Sequence, residues 1–259
     1  MSGGPGQWPV TLVFHKLTDH FTFSITGYSP TRFERLIEAL QSRGWQFSGV
    51  DFEDYSSKQG RGELLISFDD GYEHLAENLP RLMEKHGFHP IVFVPTDLVG
   101  KSNGWDYSHK LRSFDHLSRE SISRLAACGV AFGSHGATHC DLTGCSGLGL
   151  QRELGDSRKY LQDLTGQPIT RVSYPFGRIN QRVIDMAASA GYEQGYTMEF
   201  PRSSDHSLCR GRIPVYSFDT PFSVQAKLER GLLNRIEQWK ARAVNRLSGG
   251  TVWLNRLRR

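Results

Sequence analysis

Three short clusters in this 259-residue chain bring together side chains able to do chemistry. The first is Ser67-Phe68-Asp69-Asp70-Gly71-Tyr72, with two adjacent carboxylates at the end of an apolar run. Side chains alternate along a strand, so neighbouring carboxylates at its end point in different directions. One can then hold a cation while the other takes a proton. The second is His135-Gly136-Ala137-Thr138-His139. Two imidazoles four residues apart can share a metal ion where the chain turns, and neutral imidazole is a common zinc ligand. No Glu follows His135, which separates the pair from the H-E-x-x-H arrangement of zinc proteases. The third is Ser173-Tyr174-Pro175-Phe176-Gly177. Proline fixes φ and glycine permits unusual backbone geometry, so a rigid turn here can aim a backbone N–H outward. Each cluster alone has an ordinary counterpart: a solvated Asp-Asp-Gly turn, a histidine pair without a metal, a turn that ends a strand.

The elements that must position these clusters alternate between two periodicities. Short β-rich runs occur at Val10–Phe14, Leu64–Phe68, Ile91–Val94, Val130–Gly133, Arg171–Tyr174, Tyr192–Thr197 and Arg212–Val215. Helical spacing of apolar residues falls between them, over Pro30–Arg43, Glu73–His86, Ser118–Cys128, Leu148–Thr165 and Gln181–Ala190. Buried strands alternating with helices favour a parallel sheet or barrel, in which ligands bind beyond the carboxyl ends of the strands. All three clusters follow strands, so all three are expected on one face.

Taken in order, Asp-Asp-Gly, His-x-x-x-His and Tyr-Pro-Phe-Gly resemble the motif series of the polysaccharide-deacetylase family, the NodB-homology domain of carbohydrate esterase family four, in its YPFG-type subgroup. The resemblance runs from Val10 to Val215. It includes Val13-Phe14-His15, Phe93-Val94, Gly133-Ser134-His135 through Asp141-Leu142, Leu164-Thr165-Gly166, Ala190-Gly191-Tyr192 and Arg212-Ile213-Pro214-Val215. It implies an α/β fold, a distorted (β/α) barrel of about seven strands. It also implies one divalent metal, usually zinc, held by Asp70, His135 and His139, with Asp69 as general base and the Phe176 backbone N–H stabilising the oxyanion. The reaction implied is hydrolysis of an N-acetyl group from an amino sugar, releasing acetate.

Two departures from the family pattern stand out. Many members carry an Arg in the third motif that orients the base, where this chain has Ser173; Arg212 could substitute. Many also carry a late Leu-x-His that supplies the general acid, and none is present. His15, after the first strand, is the candidate for that role, against the alternative of a packed strand-end histidine. The residues assigned to the substrate side are Tyr72, Trp105, Tyr174 and Arg212. Trp105, in the Ser102–Tyr107 loop, could wall a sugar or simply pack the loop, and Tyr72 could line the pocket or pack. Cys140, beside His139, reads as a small buried residue, because a fourth protein ligand would close the site. His86 and His89 flank a turn and are expected to be exposed.

The composition is that of a soluble globular protein, 38% hydrophobic and 22% charged, with a formal net charge of +4. From Arg230 to Arg259 eight Lys/Arg face Glu237 alone, so the rest of the chain carries −3. A basic helical segment, 223–259, is therefore set apart from a catalytic domain at 8–222. Its stripe of Leu228, Leu232, Ile236, Ala243 and Leu247 either packs on the barrel or attaches to an anionic membrane surface. No nucleic-acid partner is expected. The four cysteines form no CxxC pair and read as reduced thiols. The N-terminus lacks a basic signal region, which leads us to expect a cytoplasmic protein, peripheral at the inner membrane face if the tail binds lipid. An acetylated amino sugar is the expected substrate. Two alternatives are a non-sugar amide or cyclic imide hydrolysed on the same fold, and a catalytically silent carbohydrate-binding module.

Overall fold

A computed structural model describes residues 8–19, 25–47, 49, 62–102, 114–202, 205–229 and 231–256, the stretch 245–256 as helical backbone. The chain opens with β1 (Val10–Phe14), followed by a small parallel pair, β2 (Lys16–Leu17) and β3 (Gly27–Tyr28). Helix α1 (Pro30–Gln41) starts where sequence rules place it. Ser29 accepts the Arg32 N–H, Pro30 sits in the first turn, and Phe33, Leu36, Ile37 and Leu40 form the buried side. Then come β4 (Trp45–Phe47), β5 (Gly62–Phe68), α2 (His74–His86) and β6 (Ile91–Val94). Helix α2 ends at Gly87, whose φ of 68° lets its N–H return to Met83 O. Next are α3 (Arg119–Ala127), capped by Ser118, and β7 (Ala131–Ser134).

The helix expected over Leu148–Thr165 is not continuous. It is α4 (Gly147–Leu150), a π-helical segment Gln151–Asp156, and α5 (Ser157–Thr165). After these come β8 (Arg171–Ser173), α6 (Gln181–Ser189), β9 (Gln194–Tyr196), β10 (Ile213–Pro214), α7 (Pro221–Leu228) and α8 (Leu232–Arg256).

The strands form one parallel sheet in the order β10-β1-β5-β6-β7-β8-β9, with β4 also pairing with β5. Residues between β9 and β10 join the two ends of this order. Arg210 N donates to Gly195 O (2.7 Å) and Arg212 N to Glu199 O (2.7 Å), while Leu12 and Val13 pair with Ile213 and Pro214. The sheet thus curls into the expected (β/α) barrel.

Alternation on the strands separates two apolar sets. Leu64, Ile66 and Phe68 of β5 join the large core under the helices, whereas Leu65 joins Ile91, Phe93, Ala131 and Tyr196 in a small separate cluster. The rings of Phe93 on β6 and Tyr196 on β9 lie 5.4 Å apart although their strands are three places apart, so this cluster fills the inside of the curl. Gly133 makes room for it, since a Cβ there would sit 2.5 Å from the Phe93 ring. Continuing the inner set along β5 leads from Leu65 to Ser67 and then to Asp69, at the carboxyl end. That parity is what delivers a carboxylate to the barrel mouth.

The tail differs from expectation. A division at 222/223 falls within α7, where Val224 and Lys227 are buried and Lys227 Nζ pairs with Asp219 at 2.5 Å. On α8 the packed side carries Glu237, Ala241 and Val244, while Leu232, Ile236 and Trp239 are exposed by 74%, 42% and 70%. Of the expected stripe, Leu228 packs against the core, Leu232, Ile236 and Ala243 are exposed, and the Leu247 side chain lies outside the described residues. Asn234 Nδ2 donates to Lys227 O (2.7 Å), which fixes the rotation of α8 after the Gly231 link. Among the described residues no helix is long and apolar enough to cross a membrane.

Candidate active site

The carboxyl ends of β1, β5, β7 and β8 surround one cluster. Asp69 and Asp70 follow β5, His135 follows β7, and His139 sits four residues further on. One ligand atom from each of Asp70, His135 and His139 lies within 4.8 Å of the others. Asp70 Oδ1 is 3.5 Å from His135 Nε2 and 3.3 Å from His139 Nε2. Asp70 Oδ1 is also buried and has no hydrogen-bond partner. His135 Nδ1 lies 2.7 Å from Ser173 O; donating there fixes the tautomer and leaves Nε2 with its lone pair toward Asp70. Two imidazoles, a carboxylate and a buried orphan oxygen fit a divalent cation with an open position.

Three non-glycine residues among those described have positive φ: Asp70 at 68°, His139 at 58° and Phe176 at 60°. Such a conformation is uncommon for non-glycine residues and costs about 1–3 kcal/mol each. Two are ligand candidates and the third is the residue expected to offer its N–H. Phe176 lies in the 3-10 turn Pro175–Gly177. Its ring meets that of His139 edge-on at 4.8 Å. The left-handed turn at Asp70 rotates its carboxylate off the inner line of β5, so the two neighbouring acids face different partners.

Asp69 faces Arg212. Nη1 and Nη2 of Arg212 reach Oδ1 at 2.8 Å and Oδ2 at 2.7 Å, and Ser173 Oγ donates to Oδ2 at 3.1 Å. The guanidinium also reaches Ser67 Oγ (3.2 Å), Ser173 Oγ (2.8 Å) and Thr197 O (3.2 Å). Burial pushes the Asp69 carboxyl up, but Arg212 and then His135 outweigh it and hold its pKa at about 2. Asp70 is likewise pushed up by burial, and the adjacent imidazoles of His135 and His139 bring it well below the usual carboxylate range. For His135 burial acts downward, and Asp69 and Asp70 together raise its pKa. Asp69 Oδ2 is 4.0 Å from His135 Nε2, so the ionised acid lies at the edge of the ligand set with both oxygens oriented.

His15, just past β1, feels the charges of Asp70, Asp69, Arg212 and His135, and its buried Nδ1 has no hydrogen-bond partner. Burial is the dominant influence and lowers its pKa. The ring therefore borders the cluster in its neutral form.

The family model for polysaccharide deacetylases matches residues 56–195, more than half of the chain. This chain belongs to the polysaccharide deacetylase family. It is 33% identical over 136 residues to YxkH of Bacillus subtilis, a protein named for that family; the match covers 52% of this chain and 44% of YxkH. It is 24% identical over 209 residues to a poly-β-1,6-N-acetyl-D-glucosamine N-deacetylase of Staphylococcus aureus, covering 74% of this chain and 69% of that one. Among solved structures, the deacetylase PplD of Streptococcus pyogenes, in complex with acetate, superposes with a TM-score of 0.70 at 18% identity, covering 86% of this chain and 98% of the other. IcaB from Ammonifex degensii gives 0.68 at 19% identity, covering 87% and 98%. These two likenesses establish the barrel.

Within this polysaccharide deacetylase fold, several residues assigned to the substrate side are placed otherwise. Arg212 is wholly buried and spends its donors inside the barrel, so it contacts Asp69 and not a ligand from solvent. Tyr174 is also wholly buried, its hydroxyl donating to Leu208 O at 2.9 Å. Tyr72 is enclosed in a stack on His116, ring centroids 5.0 Å apart, with Lys16 Nζ 5.1 Å from its ring. Trp105 lies outside the described residues. His86 is buried and not exposed, its Nε2 3.5 Å from Glu34; His89 is exposed. Glu34, Glu38 and His86 form a second ligand-like group, but Lys85 and Arg81 already supply cations to Glu34.

Two supporting residues carried no sequence signal. Glu153, on the π-helical segment, accepts Ala137 N (2.8 Å), Thr138 N (2.9 Å) and Thr138 Oγ1 (2.7 Å), holding the turn between the two histidines. His116 Nδ1 sits 2.7 Å from Asp70 O, bracing the left-handed residue. Nothing in the spacing of motifs points to either, because both act mainly on backbone.

The Arg212 contact generates a stability prediction. Arg212→Met removes the counter-charge and leaves the Asp69 carboxylate buried, which should cost about 3–5 kcal/mol in urea unfolding. Unchanged stability would mean that something other than Arg212 compensates Asp69.

Proposed function

We propose that the protein is a metal-dependent deacetylase that hydrolyses the N-acetyl group of an amino sugar in a glycan or glycoconjugate, releasing acetate. The observation that carries this reading is the pairing of a cation-ready triad with a separately oriented, ionised Asp69. Asp70, His135 and His139 would hold the ion, and zinc is the metal best matched to two imidazoles and one carboxylate. Such an ion, when bound, supplies a Lewis acid that polarises the acetamide carbonyl and activates water. The names of the relatives, among them an N-acetyl-D-glucosamine polymer deacetylase, support an acetylated amino sugar as substrate.

The chain's own residues account for the proton movements. Asp69, ionised and oriented by Arg212 and Ser173, accepts a proton from the attacking water. The Phe176 N–H, in its left-handed turn beside His139, is assigned to donate to the oxygen that becomes negative as the carbonyl carbon goes tetrahedral. His15 borders the same cluster and is assigned to pass a proton to the departing amine. Being neutral at rest, it must first acquire that proton during the turnover.

The α8 surface supports a second partner. The exposed residues Leu232, Ile236 and Trp239 fall on one stripe of the helix, flanked by Arg235 and Arg242 on one side and Lys240 on the other. An apolar stripe between basic residues suits a helix lying in an anionic lipid interface, where each basic residue contributes about 1 kcal/mol.

Each of these assignments has a direct measurement. Acetate release from a panel of acetylated sugars and small amides, with zinc added back, separates sugar from non-sugar specificity and from a silent binding module. In that assay Asp69→Asn should retain metal and lose about 10²–10⁴-fold in kcat; loss of the metal instead would exchange the roles of the two acids. His15→Ala should lower kcat by a similar factor, and an undiminished kcat would remove His15 from the proton path. For α8, the protein should co-sediment with phosphatidylglycerol vesicles at low salt and be released as salt screens the attraction. Trp239→Glu should abolish that binding; failure of the unmodified protein to bind would end the lipid assignment.

A further inference from the structure

Cys140 and Cys145 lie at the two ends of one tight turn with their sulfur atoms 3.3 Å apart. Both are half-buried and neither is bonded to the other. The turn between them is already shaped for closure. Asp141 Oδ1 accepts the Thr143 N–H (3.1 Å) and hydroxyl (2.6 Å), and Cys145 N donates to Leu142 O (3.2 Å). A disulfide requires sulfurs about 2.05 Å apart. The remaining closure, roughly 1.3 Å, is within the range of side-chain rotation.

The location gives such a bond a consequence. Cys140 directly follows His139, whose backbone is left-handed at φ 58°. On the other side the turn is tied to the segment after Phe176. Arg178 Nη1 reaches Asp141 Oδ2 at 2.9 Å, and Arg182 donates to Cys145 O. The Cys140–Cys145 turn thus bridges the candidate ligand loop and the loop offering the Phe176 N–H. Its sulfurs face each other, and Cys140 is not part of the Asp70, His135, His139 set.

We propose that Cys140 and Cys145 form a reversible disulfide that closes this turn and stiffens the loop carrying His139. The oxidant is a small disulfide of the glutathione class. One cysteine, as thiolate, attacks a sulfur of the oxidant, forming a mixed disulfide and displacing one small thiolate. The second cysteine, also as thiolate, attacks the protein sulfur of the mixed disulfide and displaces the other. One S–S bond is made and one broken, two electrons pass from the protein to the oxidant, and the two cysteine protons end on the released thiols. Closing this short loop restricts the unfolded chain, so the oxidised form should melt roughly 4–8 °C higher than the reduced form.

The test uses the whole chain, equilibrated in oxidised or reduced glutathione, alkylated without reductant and read by intact mass and peptide mapping. In the oxidising buffer Cys140 and Cys145 should be protected and recovered as one linked peptide, while Cys128 and Cys209 are alkylated. In the reducing buffer all four should be alkylated and the melting temperature should fall. In Cys145→Ser no linked peptide should form in either buffer, and any glutathione joined to Cys140 in the oxidising buffer should remain on it for want of the second thiol. Alkylation of both cysteines in the oxidising buffer would overturn the proposal. So would a stable glutathione adduct on either, or equal melting temperatures of the two forms. The mass readout needs no variant and does not depend on the substrate assignment.

Discussion

The contact between Arg212 and Asp69 ties elements from both ends of the strand order to one carboxylate. Removing a guanidinium and a carboxylate from water costs several kcal/mol per ion, and only good geometry with further hydrogen bonds offsets it. Here the guanidinium meets both carboxylate oxygens and also reaches Ser67, Ser173 and Thr197. Those partners come from β5, from β8 and from the residue after β9, while Arg212 itself precedes β10, which pairs with β1. One side chain therefore joins both ends of the strand order from inside. The curl of the sheet and the orientation of the Asp69 carboxylate depend on the same group.

A second constraint is the different fate of two neighbouring acids. Asp69 continues the inward parity of β5 and is stabilised as an anion by a fixed cation. Asp70 leaves that line through a left-handed residue and meets two imidazoles. His116 braces Asp70 through its carbonyl, and Glu153 braces the histidine turn through its amides. The site is thus shaped in large part through contacts to its backbone.

Much of this was legible in the sequence wherever a periodicity or a cap specified it. The runs at Val10–Phe14 and Ile91–Val94 and the start of the helix at Pro30 stand where alternation and capping place them. The three clusters converge because each follows a strand of one parallel sheet. Arg212 was only half legible. Its substitution for a missing Arg could be suggested, but its complete burial depends on the sheet closing round it. Tyr174 looked like pocket lining because it stands in a motif, yet Gly195 leaves space for its ring inside the fold. The interruption at Gln151–Asp156 was invisible, since one extra residue in a helical turn barely disturbs apolar spacing. The stripe from Leu228 to Leu247 left packing and a lipid surface both open, and in the structure Leu228 packs on the core while Leu232 and Ile236 are exposed. Periodicity locates an apolar surface without saying what covers it.

The left-handed trio of Asp70, His139 and Phe176 bears on how this fold can change over time. Most residues of a barrel can be exchanged for ones that suit their local backbone better. At these three positions a glycine would relax the chain but delete a carboxylate, an imidazole or the ring that packs on that imidazole. Selection for greater heat resistance acting on the backbone alone would favour such replacements, and selection for turnover would reject them. The trio therefore marks where this protein surrenders folding stability, and gains in robustness must come from elsewhere in the chain.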